Sequence, residues 1–171
     1  MQRSTSRLIL RPPRADDLAC VFAIHSDPET NQYNPAGPMT DISQAASMLD
    51  DWLSHWREKG FGQWAIATRD CPQQVIGFGG LSMRMYLDVE RLNLGYRFAV
   101  SGWGQGYATE LSLSALDYGF DELNAAAVFA VVRPAHMASI RVLEKIGMQR
   151  IESIDDVPGQ PPSRVYKATR A

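Results

Sequence analysis

Cysteine is scarce in this 171-residue chain: Cys20 and Cys71 stand alone, with no C-x-x-C pair. That excludes a disulfide framework and a cysteine-based zinc site, and both side chains are expected to be reduced core or surface thiols. Charge of one sign is equally short, since 17 basic residues against 19 acidic ones leave a formal net charge of −2. No electrostatic footprint for a nucleic-acid backbone or an anionic membrane follows from such a balance. The longest apolar stretch, ending at Val132, falls far short of the ~20 residues of a membrane span, and no apolar segment follows Met1-Gln2-Arg3-Ser4. The expected compartment is the cytoplasm. Also absent is any G-x-x-x-x-G-K-[ST] run, and Tyr107 and Thr109 stand where a third glycine would complete G-x-G-x-x-G. P-loop and dinucleotide sites are thereby disfavoured. His25 and His55 lie far apart without ligand spacing, so no metal is expected.

What remains is an ordinary globular composition, 45% hydrophobic and 21% charged, which removes disordered and fibrous readings. Its length favours one domain spanning 1–171. Residues 8–11 read as a strand stopped by Pro12-Pro13, and Asp16 and Asp17 suit the first turn of a helix running to His25. After a Pro- and Gly-rich loop over 31–40, Asp41 or Ser43 can cap a second helix. That helix carries Ala46, Leu49, Leu53 and Trp56 at helical spacing and ends at Gly60. Period-two stretches over 61–68, 75–83 and 91–100 predict an antiparallel meander. A third helix, apolar on nearly every side, is expected from Tyr107 to about Leu123, buried between layers. The β-branched run 126–133 suits a central strand, 137–146 a fourth helix stopped by Gly147, and 149–154 and 164–168 two last strands. This order predicts one α/β domain with a mixed sheet.

The segment richest in chemistry is Ser101-Gly102-Trp103-Gly104-Gln105-Gly106, which opens the third helix. A helix start presents unpaired N–H groups and partial positive charge, and glycines let a phosphate come close, so a phosphorylated ligand fits; a tight connection is the plainer alternative. His25, His55 and most of Trp52, Trp56, Trp64 and Phe61 read as structural. Asp155-Asp156 reads as a solvated turn, and the arginines as scattered over the surface.

Three segments in order resemble the signatures of the GNAT N-acetyltransferases: Leu94-Gly95-Tyr96, Trp103 to Glu110, and Ala138 to Met148. With Leu8-Ile9-Leu10-Arg11-Pro12, and Trp64-Ala65-Ile66 followed by Ile76-Gly77, the chain is most similar to the RimJ/RimL-like subgroup. The resemblance implies a single GNAT-like domain with a mixed, mostly antiparallel central sheet, helices on both faces, and two splayed parallel strands, 91–100 and 126–133, forming an acetyl-CoA cleft. It further implies a pyrophosphate resting on the loop Trp103, Gly104, Gln105, Gly106, Tyr107, Ala108 and Thr109. Backbone groups of Phe98, Ala99 and Val100 would lie along the pantetheine arm, as an added strand does. Trp103 occupies the family's Gln/Arg position, so phosphate binding leans on backbone donors. The implied reaction is transfer of an acetyl group to a primary amine, of a protein N-terminus or a small molecule, by direct attack without a metal. Oligomeric state is left open by the sequence, with a homodimer as one expectation.

Such a reaction needs a base for the amine, a donor for the oxyanion and support for the leaving thiolate. The tyrosine many relatives place on the fourth helix is Leu143 here, which turns attention to Ser139 one turn earlier. The usual glutamate is Asn93; Glu90, Asp88, Asp155 or a water chain can replace it. His136 stands where an asparagine usually faces the cofactor, either hydrogen-bonding pantetheine or packing. A CoA-binding sensor without turnover is the competing function, and a pure interaction module would leave the glycine loop unexplained.

Overall fold

A computed structural model describes all residues, Met1–Ala171. In chain order the strands are β1 (Arg3–Ser4), β2 (Leu8–Arg11), β3 (Gln63–Thr68), β4 (Val75–Tyr86), β5 (Val89–Phe98), β6 (Ala127–Val132), β7 (Gln149–Ile154) and β8 (Ser163–Thr169). The α-helices are α1 (Leu18–Ser26), α2 (Ile42–Lys59), α3 (Tyr107–Asp117) and α4 (Met137–Lys145). The eight strands form one sheet in the order β1-β2-β3-β4-β5-β6-β8-β7. Parallel pairing joins β5 to β6, registering Asn93 with Phe129, whereas β1–β2, β2–β3, β3–β4, β6–β8 and β7–β8 are antiparallel. The expected mixed, mostly antiparallel α/β sheet is therefore formed. By its contacts the chain divides into two compact units, Met1–Gly80 with Tyr96–Tyr107, and Leu81–Gly95 with Ala108–Ala171.

In the first unit α2 starts where side chains can satisfy its open N–H groups. The Asp41 carboxylate accepts from the Ser43 N–H at 2.7 Å, and Gln44 Oε1 accepts from the Asp41 N–H at 3.1 Å. Gly60, in the left-handed region at φ 76°, closes the helix by donating to the Trp56 carbonyl. Its core-facing residues are Ala45 and Leu49; Ala46, expected in that stripe, is exposed. Either alanine fits a helical period, and only packing against Val21, Ile24, Ala65 and Phe78 selects the first. Not all arginines are scattered over the surface. Arg11 forms a fork with Asp17 at 2.8 and 2.9 Å, and Arg97 is half-buried on β5.

In the second unit β4 runs on to Tyr86, past the expected end at 83, and turns through Leu87-Asp88 into β5. Leu87 sits in the left-handed region at φ 57° with 59% of its surface exposed, a conformation usually left to glycine or asparagine. The third helix is not covered all round. Leu113 is exposed while Leu111, Ser112, Ala115 and Leu116 are buried, because one face alone meets the sheet. Nor does it stay α-helical to Leu123: the last turn, Tyr118–Glu122, is a π turn in which Leu123 N–H reaches the Tyr118 carbonyl. There Gly119 packs so closely that an added Cβ would lie 2.9 Å from Leu81 Cδ1 and 3.2 Å from Val128 Cγ2. The Asp155-Asp156 pair is only half solvated, since Asp156 faces Arg133 at 3.8 Å.

Candidate active site

Past Phe98 the chain leaves the strand without losing its hydrogen bonds. Ala99 N–H still donates to the Ile76 carbonyl of β4 at 2.8 Å, and Val100–Gly102 then make a single 3-10 turn. Because neighbouring backbone groups in a strand alternate in direction, the carbonyl of Phe98 points away from β4, and Val100 has already left the strand for the 3-10 turn. Trp103 meets both. Its indole N–H donates to the Phe98 carbonyl at 3.1 Å and its backbone N–H to the Val100 carbonyl at 3.0 Å, while 44% of its surface stays exposed.

Gln105 and Gly106 follow, and Tyr107 begins α3, with Ala108 and Thr109 in its first turn. Gly106 is left-handed at φ 78°, so its position tolerates a side chain poorly. Arg7, in the turn between β1 and β2, holds this segment: its Nη1 donates to the Gln105 carbonyl at 2.7 Å, and its guanidinium lies 4.7 Å from the centre of the Tyr107 ring. A peptide is planar and trans, so a Gln105 carbonyl turned toward Arg7 turns the Gly106 N–H the opposite way. Gly104 and Gly106, both left-handed, lead straight into the start of α3, a run of backbone N–H groups of the kind that takes a phosphate. The donor set fits a pyrophosphate. Sequence reasoning missed Arg7, whose partner is 98 residues away; the lack of Gln or Arg at position 103 was the one hint that a cation comes from elsewhere.

The remaining predicted residues lie in the second unit. His136 is the residue before α4, where its side chain makes no capping hydrogen bond, as expected of a residue that caps poorly. Ser139, the third residue of α4, is half-buried, and Leu143, one turn on, is buried. Glu90 is exposed beside the β4–β5 turn. Being three residues from Asn93 on one strand, it faces the opposite side of the sheet. Asn93 is 4% exposed and its Oδ1 accepts the Tyr86 hydroxyl, whose titration burial pushes well up. The amide at the family's glutamate position therefore fills a structural role.

His25 reads as structural and is so: buried in α1, it donates from Nδ1 to the Val21 carbonyl at 2.9 Å and meets Trp52 edge-on. Burial first, then the positive charge of Arg97, hold it down from 6.5 to about 4; the bond to Val21 works the other way. Between pH 6.5 and about 4 the unfolded chain binds more protons than the folded one, so stability falls as pH drops through that window. His25→Gln is expected to flatten this part of the curve in urea unfolding followed from pH 7 to 4. An unchanged slope would show that His25 does not titrate there.

An open cavity of about 610 Å³ lies on α2, lined by Ser43, Gln44, Ser47, Met48, Asp51 and Trp52; of these the sequence points to Ser43, as a helix cap, and to Trp52. No group of three or more His, Cys, Asp or Glu side chains is arranged so that it could hold a metal ion.

Comparison with known proteins places these features. Residues 7–149 match the family model described as acetyltransferase (GNAT) domain. The uncharacterised N-acetyltransferase YoaA of Bacillus subtilis is 33% identical over 148 residues, 85% of this chain and 81% of YoaA. Among solved structures, an acetyltransferase of Agrobacterium tumefaciens superposes with a TM-score of 0.82 at 24% identity, covering 99% of this chain and 95% of that one. A spermidine N-acetyltransferase of Vibrio cholerae, in complex with CoA and spermine, superposes at 0.77 with 17% identity, covering 96% of each chain. At these identities the structures speak for the fold, and the family match over most of the chain speaks for the chemistry. The chain belongs to the GNAT family of acetyltransferases and is an acetyl-CoA-dependent N-acetyltransferase.

Proposed function

We propose that this enzyme, in the RimJ/RimL-like subgroup, moves the acetyl group of acetyl-CoA to a primary amine, of a small molecule or a protein N-terminus, by direct attack in the cytoplasm. The observation that carries this reading is the loop 103–109: a left-handed Gly106 against Arg7, a Gly106 N–H turned away from it, and a helix start directly behind. These backbone donors would hold the pyrophosphate. Phe98, Ala99 and Val100 would take the pantetheine arm along the free side of β5, with His136 a further contact.

Acetyl-CoA supplies an activated acyl group with a thiolate leaving group. Ser139 donates a hydrogen bond to the departing sulfur, in the place a tyrosine would take if Leu143 were one. The amine loses its proton to a chain of waters, since Asn93 offers no carboxylate and is committed to Tyr86 and the exposed Glu90 faces the other side of the sheet. A sensor that binds CoA without turnover is the second reading, favoured by the same missing carboxylate.

Trp103 reports on the arrangement, because its indole hydrogen-bonds the carbonyl that pantetheine would meet. Saturation with acetyl-CoA is expected to shift or quench its fluorescence, and this signal should be lost in Trp103→Phe. Acetyl transfer to at least one of a panel of amines is expected alongside. Binding without transfer to any amine would select the sensor, and no fluorescence change at saturation would reduce the loop to a turn.

A further inference from the structure

We propose that Arg97 selects the acceptor: its guanidinium takes a carboxylate or phosphate group carried by the amine substrate, admitting anionic amines and rejecting polyamines. The proposal rests on the acetyl transfer proposed above, with the thioester arm lying along Phe98–Val100. Arg97 immediately precedes that segment on β5, and alternation along a strand puts its side chain on the face opposite to that of Phe98. On that face its Nη1 donates to Asn31 Oδ1 at 2.7 Å.

Asn31 is itself fixed, which fixes the guanidinium. Its Nδ2 donates to the carbonyls of His25 and Asp27, each at 2.8 Å, and Asn34 Nδ2 donates to the same Oδ1 at 3.0 Å. The arginine is thus positioned by a neutral amide and not by a counter-ion. Three other half-buried arginines do meet a carboxylate: Arg11 pairs with Asp17 at 2.8 Å, Arg91 with Glu152 at 2.7 Å and Arg133 with Asp156 at 3.8 Å, whereas Arg164 on β8 shares with Arg97 the lack of such a pair. No carboxylate pairs with Arg97. Its titratable neighbour, His25, is neutral at pH 7 and leaves the local charge positive.

A guanidinium has five N–H donors in a planar fork. Asn31 engages one nitrogen of Arg97, and no other nitrogen of the fork is fully buried without a partner, although the side chain as a whole is half-buried. A charge drawn out of water without a counter-ion is destabilising unless something is gained by it. What this geometry offers is two adjacent donors for an oxyanion, beside the strand along which the thioester is proposed to lie. The same charge opposes a polycation.

The test measures kcat and KM of the full chain with glycine, glycinamide, phosphoethanolamine and spermidine, for the natural sequence, Arg97→Gln and Arg97→Lys. Expected is a KM about tenfold lower for glycine or phosphoethanolamine than for glycinamide, and lower still relative to spermidine. The better of the two anionic amines identifies the oxyanion. In Arg97→Gln the preference should collapse through KM, with acetyl-CoA affinity unchanged, and Arg97→Lys should restore part of it. Spermidine as the best acceptor, or a preference that survives in Arg97→Gln, overturns the proposal. If acetyl-CoA binds but no amine is acetylated, the transfer reading fails. Calorimetry with N-acetylglycine against N-acetylglycinamide then decides Arg97 alone: tighter binding of the carboxylate, lost in Arg97→Gln, upholds it, and equal affinity overturns it.

Discussion

Replacing Gly106 by valine is expected to weaken acetyl-CoA binding by well over tenfold. Gly106 has φ 78°, where a β-branched residue is a genuine outlier. A Cβ there would also lie in contact with Arg7 Nη2 at 3.4 Å, so the methyl branches of valine beyond it crowd the group that holds the Gln105 carbonyl. Both effects swing the 105–106 peptide, and a swung peptide no longer aims its N–H at a phosphate. Arg7→Gln should act in the same direction but more weakly, since it loosens the peptide without forcing it over. Calorimetry with acetyl-CoA on folded Gly106→Val, checked by circular dichroism, gives the answer; unchanged affinity would remove the pyrophosphate from this loop.

Ser139→Ala is expected to lower kcat by roughly ten- to a hundredfold with acetyl-CoA affinity changed less than about threefold. The reasoning starts from the register of α4. Residues 139 and 143 share a face one turn apart, and Leu143 is buried and apolar, so Ser139 is the polar neighbour left to support a departing thiolate. Its half-buried position in the first turn of α4 also allows a purely structural role, in satisfying helix N–H groups. In that case its loss costs about 1 kcal/mol of stability and leaves the rate intact. Thermal unfolding and single-turnover acetylation of the same variant separate the two, and lowered stability with unchanged turnover would sink the catalytic role. Glu90→Gln is a useful companion. An exposed carboxylate on the other side of the sheet should matter less, with kcat/KM reduced by under tenfold.

Patterns within a few residues of one another foretold most of the elements. The period-two run that became β3, the cap at Asp41 and the stop at Gly60 were legible because backbone sterics and capping act locally. So was the glycine turn running into α3, and its order with Leu94-Gly95-Tyr96 and the α4 segment carried the family. The choice of Ala45 over Ala46 and the π turn at Tyr118 were beyond such patterns, since each depends on what the helix packs against.

The site divides in the same way. The positions of Gly106 and Ser139 follow from their places in a turn and a helix, which neighbouring residues specify. Arg7 on Gln105, Tyr86 on Asn93 and Asn31 on Arg97 do not, and neither does the insertion of β8 between β6 and β7. Two of these contacts join residues 98 and 66 positions apart, where no local period relates the partners. Local sterics select elements residue by residue. Which charge meets which carbonyl is settled only when burial of apolar faces brings distant segments together and leaves polar groups that must find partners.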